Sequence, residues 1–302
     1  RRLVLSAAKP NSARVIFGVR NVGLVRPTYP ALKAAIALLI VGFAGQSAHA
    51  ALAIQHWTTP EGARVYFVEA RDIPMLDVAV DFPAGSARDP ANQPGLAHFS
   101  HALMDQGAGG WSDEKIAHAL ADVGAALGGR FDRDRAGVSL RTLSSAPERD
   151  AALGVLARVV QQPDYAAAVV KREQARLIAG LREAEADPGE VAQKAFYRAL
   201  YGDHPYAHDE RGEIKSVAGF TRAQLQAFHR AHYSAPNAVI AIMGDLSRNE
   251  AEAIAQKLAA GLPKGDKLPA LPAPKAAPGK VERIAHPSSQ SHVLVGALGV
   301  SR

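Results

Sequence analysis

The fold is decided by the stretch Pro94-Gly95-Leu96-Ala97-His98-Phe99-Ser100-His101-Ala102-Leu103-Met104. On a helix, positions i, i+3 and i+4 are neighbours on one face, so the side chains of His98, His101 and Ala102 lie together. A glycine-rich turn follows at residues 107–110. The stretch therefore predicts a short helix that presents two imidazoles and one methyl group side by side.

The spacing of these three positions matches a known catalytic pattern in which two of the three reactive residues have been replaced. In the helix motif H-x-x-E-H, two histidines bind zinc and the glutamate acts as the general base. Here the three slots hold His98, His101 and Ala102. A catalytic zinc needs three protein ligands plus a water molecule, and only a bound zinc makes that water acidic near neutral pH. The helix therefore predicts the shape of a zinc-peptidase segment without its chemistry.

Further landmarks on both sides of the helix extend this likeness. Together with Leu96 to Met104, they resemble the pitrilysin/insulinase family of inverted zinc peptidases, which includes mitochondrial processing peptidase. The landmarks, in family order, are Thr59 to Val68, Phe82 to Asp89, Ser112 to Gly129, Tyr201 to Tyr206 and Ser234 to Asp245. The resemblance covers nearly everything from Gln55 to Leu262.

The resemblance also implies a third zinc ligand on a later helix. In the family this ligand is a glutamate, usually in a Glu-Glu pair shortly before an Asp-Pro. Matching Asp187-Pro188 to that landmark places Ala179 and Gly180 where the glutamates would be. We therefore expect the motif positions to be vestigial, with no catalytic residue and no bound cofactor. These positions are His98, His101, Ala102 and Gly180.

Other histidines could rescue the site, because His98 and His101 can share a metal at i, i+3 spacing. The further candidates are His204, His208, His229 and His232. The first two flank a Pro-Tyr-Ala loop, and the last two come at the end of a predicted helix, where a positive charge suits the dipole. Each is thus predicted as a capping or surface histidine, and a substitute zinc site stays the alternative interpretation.

The family implies an α+β fold in which a mixed sheet is covered by helices, and the local patterns agree. Alternating and apolar runs predict strands, whereas caps and helical periodicity predict helices. The predicted strands are Arg64 to Ala70, Leu76 to Phe82, Leu127 to Asp132, Arg135 to Leu143 and Ala238 to Met243. Besides the His98 helix, helices are predicted from Ser112, around Leu153 to Val160, and over Tyr165 to Glu185, Gly189 to Leu200, Arg222 to His232 and Asn249 to Leu258.

Four segments follow from this pattern. Residues 1–50 are read as upstream sequence plus a leader, and residues 51–262 as a peptidase-like α+β domain. Residues 263–282 form a linker rich in Pro, Lys and Ala, a composition typical of a semi-rigid extended spacer. The family implies that this linker joins two similar halves, so residues 283–302 are expected to begin a second, truncated half-domain.

Charge and hydropathy indicate export. Residues 1–50 carry seven basic and no acidic side chains, so the formal net charge of +6 leaves −1 for the remainder, and no basic surface points to a nucleic acid. Lys33 precedes the apolar run Ala34 to Ala44, and Ala48-His49-Ala50 gives a small-x-small cleavage site, the layout of a secretory signal peptide. The run is too short for a stable membrane span, which needs ~20 residues. Cleavage near Ala50 would release a periplasmic or secreted protein, and an uncleaved anchor is the alternative.

Three functions are compatible with these features. The favoured one is a non-catalytic subunit that pairs, as a heterodimer, with an active peptidase of the same family and helps it bind and degrade unfolded peptides. The second is a structural scaffold subunit. The third is an active zinc metalloendopeptidase with substitute ligands, which the missing general base disfavours.

Overall fold

The computed structural model of the protein describes residues 53–276, 279–287 and 289–299. The predicted leader and its cleavage site, residues 1–50, lie outside these residues. In the part of the chain that is described, no helix is both long and apolar enough to cross a membrane.

The described residues form a six-stranded mixed sheet and a small two-stranded one. The strands are β1 (Gln55–Thr58), β2 (Arg64–Glu69), β3 (Met75–Phe82), β4 (Gly107–Ala108), β5 (Trp111–Ser112), β6 (Ala126–Phe131), β7 (Ala136–Leu143) and β8 (Val239–Gly244). The large sheet has the order β1-β2-β8-β3-β7-β6, in which β2 and β8 run parallel and the other neighbours antiparallel. The sheet therefore ends at β1 on one side and at β6 on the other.

Helices cover one face of this sheet. They are α1 (Leu96–Ala102), α2 (Asp113–Ala121), α3 (Ala146–Gln161), α4 (Ala167–Ala186), α5 (Pro188–Tyr201), α6 (Ile214–Ala218), α7 (Arg222–His232) and α8 (Arg248–Ala260), with short 3-10 turns at Ser86–Arg88, Pro205–Ala207 and Ala235–Asn237. Alternate strand residues such as Phe67, Val78 and Ile240 are buried in the core beneath them. The opposite face is open, and Tyr66 and Met243 there are 41% and 45% exposed. The prediction of an α+β fold with a mixed, helix-covered sheet is confirmed.

Side-chain caps that the sequence predicts begin two of the helices. The Ser112 hydroxyl accepts a hydrogen bond from Lys115 N at the start of α2. The Asp187 carboxylate accepts from Glu190 N, and Pro188 occupies the first turn of α5, so Asp187-Pro188 ends α4 and begins α5.

The structure corrects several predicted boundaries. Tyr165 lies outside α4 because its φ of 48° is left-handed, a conformation that helix residues do not adopt. Strand β1 and helix α6 were not predicted, since the first has only four residues and the second only five. In the second half-domain expected over residues 283–302, the described positions 283–287 and 289–299 form no strand.

Candidate functional site

Helix α1 is anchored at its first turn by an acidic residue that lies outside the helix. The Asp89 carboxylate accepts hydrogen bonds from Gly95 N at 2.7 Å and from Ala97 N at 2.6 Å. These are backbone donors that a helix leaves unsatisfied at its start. Burial raises the pKa of Asp89 to about 7, against the opposing effect of the two N–H groups. Asp89 therefore positions the helix that carries both histidines.

The loop before α1 also packs closely against a second loop. Gly95 has a φ of +91°, and a β-carbon there would lie only 2.6 Å from the Arg211 carbonyl oxygen. The Ser216 hydroxyl donates to the Pro94 carbonyl at 2.7 Å. The start of α1 is thus fixed by backbone contacts that only glycine permits.

The far side of α1 is tied to the residues just before α4. The hydroxyl groups of Ser100 and Tyr165 lie 2.9 Å apart, and the Tyr165 hydroxyl also donates to the Ser100 carbonyl at 3.3 Å. Tyr165 is buried in the left-handed conformation described above. This contact links α1, which carries His98, His101 and Ala102, to the start of α4, which carries Gly180. Sequence reasoning missed its role, because it placed Tyr165 inside the helix.

The two imidazoles of α1 pack against β6. Their ring centroids lie 5.3 Å (His98, edge-on) and 5.6 Å (His101, stacked) from that of Phe131. Burial lowers the pKa of both rings, to about 4 for His101, and nearby Arg211 lowers the pKa of His98 further. Each Nδ1 is buried without a hydrogen-bond partner among the described residues. Both rings are therefore neutral near pH 7.

The side chains at the other two motif positions have no atom that could bind a metal ion. Ala102 is the last residue of α1 and is exposed. Gly180 lies in α4, is exposed, and has no heavy atom within 4 Å of the position that a β-carbon would take. The space for a side chain at residue 180 is therefore open, although nothing in the described part of the chain fills it.

Of the two histidines beside the Pro-Tyr-Ala loop, His204 has a structural role. His204 caps the 3-10 turn, since its Nδ1 accepts from Tyr206 N at 3.1 Å, in line with the prediction of a cap. It does not lie on the surface, because it is only 8% exposed. His208 follows the turn and is half-buried.

The two histidines at the end of α7 are bound to backbone carbonyls. His229 is 4% exposed, its Nε2 lies 2.9 Å from the Val160 carbonyl, and burial lowers the pKa of its ring to about 4. The ring is buried and neutral, so the prediction of a surface histidine whose charge suits the helix dipole is wrong for His229. His232 Nδ1 lies 3.0 Å from the Phe228 carbonyl, and burial lowers its pKa also.

The donor set does not fit the zinc ion that the family motif implies. His98 and His101 are two imidazoles, whereas a catalytic zinc takes three protein ligands. Over the described residues, no group of three or more His, Cys, Asp or Glu side chains could hold a metal ion. No hydrolytic step through zinc can therefore be derived for these residues.

The structure also has a cavity and a sheet edge in the neighbourhood of α1. A cavity of about 490 Å³ lies among α4, α5 and α6. Asp209 lies on its wall, and the charge of this carboxylate raises the pKa of His98, against the larger effect of burial. Apolar Leu181 and Ile214 share this cavity with the ion pair between Arg198 and Glu213, whose atoms lie 2.8 Å apart. On the other side of the histidines, strand β6 forms an edge of the described sheet, where backbone groups can pair with an extended chain.

Comparison with known proteins gives a consistent result. Residues 65–211 match the family profile described as insulinase (peptidase family M16), and residues 219–302 match the one described as peptidase M16 inactive domain. An uncharacterized zinc protease of Mycobacterium tuberculosis is 30% identical over 200 residues, which cover 66% of this chain and 45% of that protein. The chain spans about half the length of the curated relatives it matches.

Solved structures share the fold. The peptidase M16 inactive domain from Pseudomonas fluorescens is 42% identical with a TM-score of 0.73, over 75% of this chain and 55% of that one. Pitrilysin is 21% identical with a TM-score of 0.65, over 76% of this chain and 25% of that one. The second likeness concerns the fold alone.

Proposed function

Because the chain belongs to the insulinase, or pitrilysin, family of peptidases, we propose that it is a non-catalytic subunit that pairs with an active peptidase of the same family. The observation that carries this proposal is the donor set. Ala102 and Gly180 supply a methyl group and a hydrogen where the family motif needs a histidine and a glutamate. His101 stands where the general base would be.

The preserved frame supports a binding role. Asp89 and Tyr165 hold α1 in place although Ala102 stands where the helix would carry its second metal ligand. Rigidly held elements place binding surfaces more accurately than loops do. The β6 edge offers backbone hydrogen bonds to an extended peptide, and such strand addition does not depend on a metal. We propose that unfolded peptides bind there and are cleaved by the partner.

The experiment uses the natural full-length protein, alone and co-expressed with an active peptidase of the family. We expect the two to co-purify and the partner to cleave an unstructured peptide faster. We expect the protein alone to show no chelator-sensitive cleavage. Chelator-sensitive cleavage by the protein alone would overturn the proposal and favour an active enzyme with substitute ligands. Failure to bind or stimulate a partner would favour a scaffold.

The proposed compartment is the periplasm. The leader pattern supports this, with its basic residues, apolar run and Ala48-His49-Ala50 in the order of a signal peptide. We expect N-terminal sequencing of the exported protein to begin at Ala51. A leader retained in the membrane fraction would support the anchor interpretation instead.

A further inference from the structure

The segment that follows α8 is held against the domain by a buried side-chain amide. Asn237 is 4% exposed, and its Nδ2 donates to the Asp266 carbonyl at 2.9 Å. Its Oδ1 accepts from Leu268 N at 2.8 Å. One amide thus satisfies a carbonyl and an N–H two residues apart, as a neighbouring strand would. A third contact, from Nδ2 to the Ser234 hydroxyl at 2.7 Å, fixes which way the amide points.

Two further side chains bind the segment beyond Leu268. Arg88 Nη2 donates to the Pro269 carbonyl at 2.8 Å. Because Nδ1 of His204 accepts from Tyr206 N, the proton of the neutral ring is on Nε2, which lies 2.8 Å from the Pro272 carbonyl. The contacts therefore continue along the segment as far as Pro272.

The proline content suits this mode of attachment. Proline has no N–H to satisfy and a preset φ, so an extended proline-rich segment loses little entropy when it docks and can be bound through its carbonyls. At Gly265 the segment runs close to the domain, since a β-carbon there would lie 3.2 Å from Ser234 Cβ. Lys264 and Lys267 remain exposed, whereas Leu268 is half-buried.

We propose that residues 263–272 are a strap built into the folded domain, so that the free connection begins only at Ala273. A free extended connection over residues 263–280 would reach about 55 Å at ~3.1 Å per residue, whereas residues 273–280 reach about 25 Å. The strap therefore releases the chain at Pro272, beside His204, which lies just after α5. A shorter tether raises the effective concentration of the linked part.

Limited trypsin digestion of the natural full-length protein tests the strap, because lysines lie on both sides of Ala273. We expect cleavage after Lys275 or Lys280 well before cleavage after Lys264 or Lys267. Equal rates at Lys267 and Lys275 would overturn the proposal. Such cleavage reports the population of the locally opened form when reclosure is fast.

Variants then identify the contacts that hold it. Asn237→Asp sets a carboxylate against the Asp266 carbonyl, and we expect cleavage after Lys264 and Lys267 to rise at least ~10-fold. Arg141→Met, which removes an ion pair with Asp77 on the open sheet face, is the control and should leave these rates unchanged. Wild-type rates in a folded Asn237→Asp protein would show that this amide does not hold the strap.

Cleavage after Lys257 in α8 reports global unfolding of a variant. If Asn237→Asp is cleaved there, the test uses the variants Arg88→Met and His204→Phe instead. Each of these removes one side-chain contact to a carbonyl of the strap, at Pro269 or at Pro272. We expect each to raise cleavage after Lys267 about 3-fold. Unchanged rates in both would overturn the proposal.

Discussion

His101 on α1 and His229 on α7 share one property and differ in another. Burial lowers the pKa of each imidazole to about 4. His229 has a partner, since its Nε2 lies 2.9 Å from the Val160 carbonyl. The Nδ1 atoms of His101 and of its neighbour His98 are buried without a partner among the described residues.

The difference separates a buried histidine that hydrogen-bonds to the backbone from two whose Nδ1 atoms lack a partner among the described residues. A buried polar atom without a partner costs free energy and calls for an explanation. On α1, His98 stands at a ligand position of the motif and His101 at that of the general base, and no group in the described part of the chain pairs with either Nδ1. For His229, the Val160 carbonyl accepts the hydrogen bond that the buried ring donates. The two histidines should therefore respond differently to substitution.

The largest effect should come from rebuilding the metal site on α1. We expect the natural protein to hold no stoichiometric zinc, and the variant His101→Glu, Ala102→His, Gly180→Glu to bind zinc at least ~10³-fold more tightly, because three protein ligands are then present. Elemental analysis and competition with a chelator measure this. Ala179→Glu in place of Gly180→Glu is the matched control.

Two results would contradict this prediction. One tightly bound zinc in the natural protein, lost on His98→Ala, would show that substitute ligands exist. If neither glutamate position improves binding, the alignment that places the third ligand at residues 179–180 is wrong.

The anchor of α1 should make stability depend on pH. The folded-state pKa of Asp89 is about 7, raised from 3.8, so the folded protein binds this proton more tightly than the unfolded one. The stability of wild type relative to Asp89→Asn should therefore be greatest below about pH 4. It should fall by up to about 1.4 kcal/mol per pH unit until about pH 7.

Urea unfolding at several pH values measures this difference. Asp77→Asn, which removes a carboxylate from the open sheet face, is the control and should not reproduce the trend. A difference between wild type and Asp89→Asn that stays constant from pH 4 to pH 7 would contradict the prediction.

Removing the partnered histidine should destabilise the protein. His229→Ala leaves a cavity beside Tyr233, on which the ring stacks at 4.9 Å, and leaves the Val160 carbonyl without its donor. We expect a loss of about 3 kcal/mol in the free energy of unfolding. Urea unfolding at pH 7 measures this loss. A loss below about 1 kcal/mol would contradict the prediction that the partnered His229 contributes more stability than the unpartnered His101.

The smallest effect should come from the unpartnered histidine. His101→Leu removes a buried nitrogen that has no described partner, so we expect a change within about 1 kcal/mol at pH 7. The folded-state pKa of His101 is about 4, lowered from 6.5, so its contribution is present above pH 6.5 and is lost as the pH falls toward 4. His101→Leu should therefore lose less stability than wild type over that range, as followed by thermal unfolding. Equal losses in the two proteins would contradict this.

Sequence reasoning found the elements that local patterns encode. The Ser112 cap, the Asp187-Pro188 junction and the alternating residues of β7 depend on near neighbours, and the structure agrees with each. It missed Asp89, because the capped helix begins several residues later and the pairing forms only when the loop folds back. It read residues 263–282 as a semi-rigid extended linker, and composition alone does not show that Asn237 binds their backbone at Asp266 and Leu268.

The sequence by itself determined the family frame, and it shows that Ala102 carries a methyl group and Gly180 a hydrogen, neither of which is a ligand atom in any conformation. Only the tertiary structure decided which histidines are buried and neutral, which acid anchors α1 and where the connection becomes free. The physical reason is that burial, and with it the pKa of a side chain and the need for a partner, depends on atoms brought together from distant parts of the chain.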